Sequence, residues 1–405
     1  MTNLLWPGDE RAGEHMTDQV LLQAMVAVES AWLDALGTAG LVPVEVADLG
    51  HLVGEQDCEH LAVTAEDGGN PVIGLVALLR RRMTPALGPW IHRGLTSQDV
   101  LDTALVLALR GVIVALGAQL ATQIDTLSTL AESHRGTPMV ARTLTQHAAP
   151  TTFGAKVAGW LTGVLDAHDR LAALSTPAQF GGAVGTWSAT VELATSRAGH
   201  TDPAALAERV ARTAATTLGL DYRAPWHTAR GPFTAAADAL VACTDSWSRI
   251  ASDIATLARP EVGELSEPAG AGRGGSSSMP HKRNPVLSIL IRRAGLAAPP
   301  LAATLHQAGA LANDERPDGS WHVEWDTLRT LARRTLIAGS QCGELLSGLR
   351  VDVNRMAENL SAADVLGEQR AIAELTGTEP SPTYFGAVDR LIDESLRRAR
   401  ETVAG

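Results

Sequence analysis

Lysine is almost missing from this chain: two lysines, Lys156 and Lys282, stand against 31 arginines in 405 residues. Cysteine is scarce too. Cys58, Cys243 and Cys342 are scattered and odd in number, which argues against a disulfide framework and against a cysteine-based zinc cluster. A reducing cytoplasm is the expected setting. Aromatic residues are only 4% of the chain, while Ala and Leu dominate an apolar fraction of 45%, a balance that favours helices over sheets. Positive charge is in deficit. A net charge of −12 and a pI near 5.5 leave little basic surface for neutralising phosphates, so no nucleic acid is expected as a partner. No uninterrupted apolar run reads as long enough to span a bilayer, so no membrane is expected either. Residues 1–14 carry no basic-then-apolar leader pattern.

What is present is helical periodicity. Residues 17–39 place Leu21, Leu22, Met25, Val28 and Trp32 on one stripe. Thr96 and Asp99 form a capping-box pair, which predicts a long helix from near Ser97 toward Glu132. Further helices are expected over 153–174, 233–258, 286–312 and 323–349. A Gly-rich break lies at 181–185. The tail, 351–405, is more polar and is interrupted at Gly377 and Pro380. Alternating strand patterns are nearly absent. The reading is all-α, a long-helix bundle in three parts: an N-terminal helical domain over 1–95, a central bundle over 96–350, and a short C-terminal helical region over 351–405.

Residues 259–285 form a long irregular segment inside the bundle, and a loop of that length in a compact domain usually has a function. It contains Gly270-Ala271-Gly272-Arg273-Gly274-Gly275, a match to the dinucleotide pattern that lacks the preceding strand the pattern requires. It ends in Gly275-Ser276-Ser277-Ser278-Met279-Pro280-His281-Lys282-Arg283-Asn284-Pro285, where one of the two lysines sits. A serine serves as a base only if its alkoxide is stabilised, and an ammonium with backbone N–H groups supplies that. Spacing alone does not choose among Ser276, Ser277 and Ser278. Lys282 and Asn284 have the chemistry to grip a carboxylate. Thr96-Ser97-Gln98 at a helix N-terminus is a ready anion site. His147 is a candidate proton donor and Arg316 a candidate carboxylate clamp, whereas the spacing of His322 and Glu324 does not suit a metal.

Three separated segments, His92 to Val100, Thr143 to Gly154 and Gly275 to Pro285, together resemble the motifs of the fumarase/aspartase superfamily, in order. Gly69-Asn70-Pro71, Gln179 to Ala183, Pro225 to Arg230, and Glu315-Arg316 with Trp321 to Trp325 resemble its 3-carboxy-cis,cis-muconate cycloisomerase branch. The resemblance implies a homotetramer whose active sites draw one motif from each of three subunits, a small polycarboxylate substrate, and neither metal nor organic cofactor. It implies Ser276 as the catalytic serine, assisted by His147 and Lys282, with Asn70, His92, Thr96, Ser97, Gln98, Gln146, Asn284 and Arg316 binding substrate.

The expected activity is lactone formation from 3-carboxy-cis,cis-muconate through an aci-carboxylate intermediate, in protocatechuate breakdown. The alternatives are β-elimination from another substituted succinate, releasing an amine or nitrite or of the adenylosuccinate type, and a non-catalytic structural paralogue. Leu144 stands where many lyases of the superfamily carry His and the cycloisomerases carry Trp. The tail also reads as shorter than the family's third domain.

Overall fold

The computed structural model describes residues 3–43, 45–197, 201–270, 272–275, 278–279 and 281–404. Its helices are α1 (Asp18–Thr38), α2 (Cys58–Gly68), α3 (Pro71–Arg82), α4 (Ser97–Ser133), α5 (Phe153–Ala172), α6 (Ser188–Arg197), α7 (Pro203–Thr217), α8 (Gly231–Leu257), α9 (Val286–Ala310), α10 (Gly319–Ser347), α11 (Val353–Ser361), α12 (Gly367–Thr376) and α13 (Val388–Ala404). Four strands, β1 (Pro138–Thr143), β2 (Gln146–Thr152), β3 (Leu265–Ser266) and β4 (Arg350–Val351), make two small antiparallel pairs. The all-α reading holds.

The bundle is α4, α5, α8, α9 and α10, packed along their lengths. α1 lies against α4 at one end, and α13 lies along α5 and α4. The few aromatics anchor this core. Trp32, Trp160, Trp226 and Trp247 are all fully buried, and each indole N–H finds an acceptor: the Arg93 carbonyl at 2.8 Å, Asp253 at 2.7 Å, the Ala178 carbonyl at 3.0 Å and Gln123 at 2.6 Å. An indole pays little to be buried when its one donor is satisfied.

Two sequence expectations change. First, residues 138–152 are a β-hairpin joined by Leu144 and Thr145, both with positive φ (48° and 71°), the geometry of a tight mirror-image turn. The usual Asn-Gly signal for such a turn is absent, so the sequence concealed it. Likewise the stretch before the Gly-rich run does contain a strand, but only the two-residue β3, paired with β4 and followed by loop rather than helix. Second, α1, α4 and α9 are each long and apolar enough, by length and composition, to cross a membrane, against the expectation of no such run. The interspersed Ala and Gly hid their continuity. Only 33% of the apolar window of α9 is buried within the chain. Val114 of α4 and Ile289 and Leu296 of α9 are exposed, so the bundle retains apolar surface to cover.

Candidate active site

The first motif is built at the start of α4. Thr96 caps the helix, its backbone N–H donating to the Asp99 carboxylate at 3.0 Å, and Ser97 is the first helical residue, half-buried. Asp99 has no exposed surface. It also accepts from the N–H groups of Gly181 (2.8 Å) and Gly182 (2.9 Å) and meets Nε2 of the buried His227 at 2.9 Å. Four donors on one carboxylate fix the Gly-rich break against the motif.

Directly beneath, Arg230 bridges two buried carboxylates, with Nη1 2.6 Å from Asp102 and Nε 3.0 Å from Glu324, and the Trp321 indole donates to Asp102 at 2.9 Å. Burial pushes the Glu324 carboxyl up, against the pull of Arg230. Burial opposes the charge of Arg230 as well, yet Asp102 and then Glu324 hold it firmly protonated. Two acids around one guanidinium make a rigid base for the N-termini of α4, α8 and α10.

The expected substrate contacts near this motif divide. Gln98 is fully buried, and its amide donates to Asp102 (3.2 Å) and to the His227 carbonyl (2.9 Å), so it belongs to the support rather than to an open surface. Asn70 is buried at the α2–α3 turn. Its Oδ1 accepts from Val72 N–H at 3.1 Å and its Nδ2 donates to the Gly68 carbonyl at 3.2 Å. His92 is partly exposed and meets the buried Glu29 at 2.6 Å. Arg316 is half-buried in the turn between α9 and α10.

The second and third motifs lie at the other end of the bundle. Gln146 and His147 are exposed on β2, beside a Leu144 that is 96% exposed at the hairpin tip. Arg142 of β1 grips Glu264, at the root of the long loop, through contacts of 3.0 and 2.7 Å. Ser276, the expected base, and Ser277 lie outside the described residues. Lys282 is exposed, with its backbone N–H on the Met279 carbonyl at 3.0 Å.

Asn284 closes the loop on itself. Its backbone N–H donates to the Gly274 carbonyl at 2.8 Å and its side-chain amide donates to the same oxygen at 3.2 Å. Gly274 has φ 72°, and a Cβ there would sit 2.6 Å from the Asn284 carbonyl, so this closure requires glycine. Glu267 takes the Leu287 and Ser288 N–H groups at 3.0 and 2.7 Å, stopping the start of α9. Thus one chain holds the first motif at the Arg230 end of α8 and the other two beyond its Leu257 end, about 40 Å away for a 27-residue helix.

No group of three or more His, Cys, Asp or Glu side chains is placed to hold a metal among the described residues. The three cysteines are free thiols, and burial pushes Cys243 up to about 12 and Cys342 further in the same direction. Glu29, Asp102, Arg142 and Glu264 were missed by sequence reasoning. Glu29 left a local signal, as an acid within the apolar stripe of α1, and so did Asp102 in the apolar stretch that opens α4.

A helical bundle of this build, with these three motifs at its two ends, defines an enzyme of the lyase/isomerase type. The family model described as Lyase matches residues 50–297, and the chain belongs to the fumarase/aspartase superfamily. It is 42% identical to a nitrosuccinate lyase of Streptomyces davaonensis, over 87% of this chain and 75% of that protein. It is 38% identical to a 3-carboxy-cis,cis-muconate cycloisomerase of Pseudomonas aeruginosa, over 95% of this chain and 82% of that protein. The crystal structure of 3-carboxy-cis,cis-muconate lactonizing enzyme from Pseudomonas putida superposes with a TM-score of 0.84 at 32% identity, covering 97% of each chain.

Proposed function

We propose that this protein is a cycloisomerase that closes 3-carboxy-cis,cis-muconate to a carboxymuconolactone. The observation that carries the reading is the likeness to the lactonizing enzyme across 97% of both chains, with every superfamily motif in its expected order. In this chemistry a substrate carboxylate oxygen bonds to a ring-closing carbon. The displaced electron pair moves onto the neighbouring carboxylate as an aci-carboxylate, and a proton then arrives at the α-carbon. The dianionic intermediate requires fixed positive charge and N–H donors, roles suited to Lys282 and to backbone N–H groups of the long loop that carries it.

The working site is assembled from several copies in a homotetramer. Two observations support this: the separation of about 40 Å between motifs within one chain, and the exposed apolar stripes of α4 and α9. A small polycarboxylate is far too short to bridge that separation. A second copy running antiparallel would bring the Thr96–Ser97 end against the hairpin and loop.

A second reading is favoured by a separate observation, the 42% identity to nitrosuccinate lyase. There the aci-carboxylate forms by proton removal beside a carboxylate and collapses by expelling nitrite. One experiment tests both. Purified protein, without added cofactor, is mixed with 3-carboxy-cis,cis-muconate and followed in the ultraviolet. Rapid loss of the conjugated-diene band, abolished in Ser276→Ala, is the expected outcome. An unchanged band, together with nitrite release from nitrosuccinate, overturns the cycloisomerase reading in favour of the lyase.

A further inference from the structure

Glu29 is a lone acid in the interior of α1, flanked by the buried residues Val26, Val28, Trp32 and Leu33. It is 1% exposed. One carboxylate oxygen lies 2.6 Å from Nδ1 of His92, and the other has no hydrogen-bond partner. A buried carboxylate without a compensating partner is costly, so the pairing with His92 is what makes Glu29 tolerable there.

His92 is itself held in an unusual state. Its φ is 63°, a left-handed conformation that a non-glycine residue keeps only when its surroundings impose it. Those surroundings are visible on both sides. Arg80 donates to the Ile91 carbonyl at 2.8 Å, and the Trp32 indole donates to the Arg93 carbonyl at 2.8 Å. The nearby Arg93 guanidinium is turned to the Pro89 carbonyl at 3.0 Å. The Arg93 N–H donates to the Trp90 carbonyl at 3.2 Å, so both peptides flanking His92 are pinned, and the ring is turned so that its Nδ1 edge meets Glu29. The Nε2 edge has no partner among the described residues, and the side chain keeps 18% of its surface exposed, four residues before Thr96.

We propose that Glu29 is a positioning residue that fixes the His92 ring by its Nδ1–H and supplies the buried counter-charge with which Nε2–H donates to a substrate carboxylate. The line of charge runs from the Glu29 carboxylate through a doubly protonated imidazole to the substrate carboxylate. Each ring nitrogen donates to one anion, so the single imidazolium charge is shared between the Glu29 and substrate carboxylates. This inference rests on the reading of the first motif as a polycarboxylate site, and it concerns binding rather than turnover.

The test is isothermal titration of the intact assembled protein with tricarballylate, a non-reacting tricarboxylate, for wild type, Glu29→Gln, His92→Gln and the double variant. Glutamine keeps the shape of Glu29 and can still accept from Nδ1–H, so a purely structural role predicts unchanged affinity. The expected result is a loss of about tenfold in each single variant and no further loss in the double. Wild-type affinity in Glu29→Gln, or losses that multiply, overturns the proposal. If Glu29→Gln fails to fold, ¹⁵N-histidine NMR of wild type decides. A His92 Nε2 resonance that moves to the protonated position on adding tricarballylate upholds the proposal, and one that does not respond overturns it. Tricarballylate binding through this pair with no muconate turnover would count only against the cycloisomerase assignment.

Discussion

Arg142, on the first strand of the hairpin, holds the fully buried carboxylate of Glu264 at the root of the long loop, with nitrogen–oxygen distances of 3.0 and 2.7 Å. Asn359 of α11 adds a third contact to Glu264 at 2.8 Å. The hairpin, the root of the long loop and the C-terminal region therefore meet at one carboxylate. Replacing Arg142 with methionine leaves that carboxylate buried without its cation and is expected to cost about 3 kcal/mol in urea denaturation. Pairing the change with Glu264→Gln should recover much of the loss, because the uncompensated charge is gone. Equal stability of the single and double variants would show that the pair is not what joins hairpin to loop.

The hairpin tip combines strain with exposure. Thr145 is β-branched and sits at φ 71°, where glycine or asparagine is at ease. Thr145→Gly should stabilise the isolated turn geometry by about 1 kcal/mol. A change of the opposite sign would mean that Thr145 makes a compensating contact in the assembled protein. Leu144→Trp should raise muconate turnover if that position walls the substrate, and an unchanged rate would make Leu144 peripheral.

Ser276→Ala and Lys282→Ala should each lose most turnover while remaining folded and assembled. Near-normal rates in both would sink the loop assignment. Mixing Ser97→Ala with Ser276→Ala under mild denaturation and refolding should restore activity above either parent, because mixed assemblies contain some sites with both motifs intact. No recovery would argue that a site does not draw on separate copies.

Asp57 and Arg82 give a pH signature. Hydrogen bonds of 2.8 and 2.7 Å from Arg82 hold the Asp57 carboxyl below the ordinary carboxylate value of 3.8. A depressed carboxylate contributes stability that is present above its unfolded pKa and is lost as pH falls through its folded pKa. The thermal stability of wild type should therefore exceed that of Arg82→Ala at neutral pH, and the gap should narrow as pH falls below the ordinary carboxylate value and through the depressed folded pKa of Asp57. A constant gap down to pH 2 would place the contribution of Arg82 elsewhere, in its contact to the Leu52 carbonyl.

Much of the helical frame was legible in the chain because its causes are local. The Thr96–Asp99 capping box starts α4 at Ser97 as expected. Asn70 ahead of Pro71 starts α3 with a cap and a proline in the first turn, a local signal from which no helix was expected. The hairpin was not legible, since its turn is made by Leu144 and Thr145, residues with no preference for positive φ. The motif residues were also named from sequence, but not their surroundings. Gln98 reads like a substrate ligand beside Ser97, yet a step of one residue on a helix turns the side chain by about 100°, into the core.

The sequence by itself determined where the long bundle helices begin, which residue types carry chemistry, and the superfamily to which they belong. These depend on patterns a few residues wide. Only the tertiary structure decided which charges face each other. His92 meets a glutamate 63 residues away, Asp99 a histidine 128 away and Arg142 a glutamate 122 away. It also decided that the motifs of one chain lie at opposite ends of a long bundle. Side chains far apart in sequence become neighbours only when helices of fixed rise pack side by side, and that packing is set by the whole buried surface rather than by any local stretch.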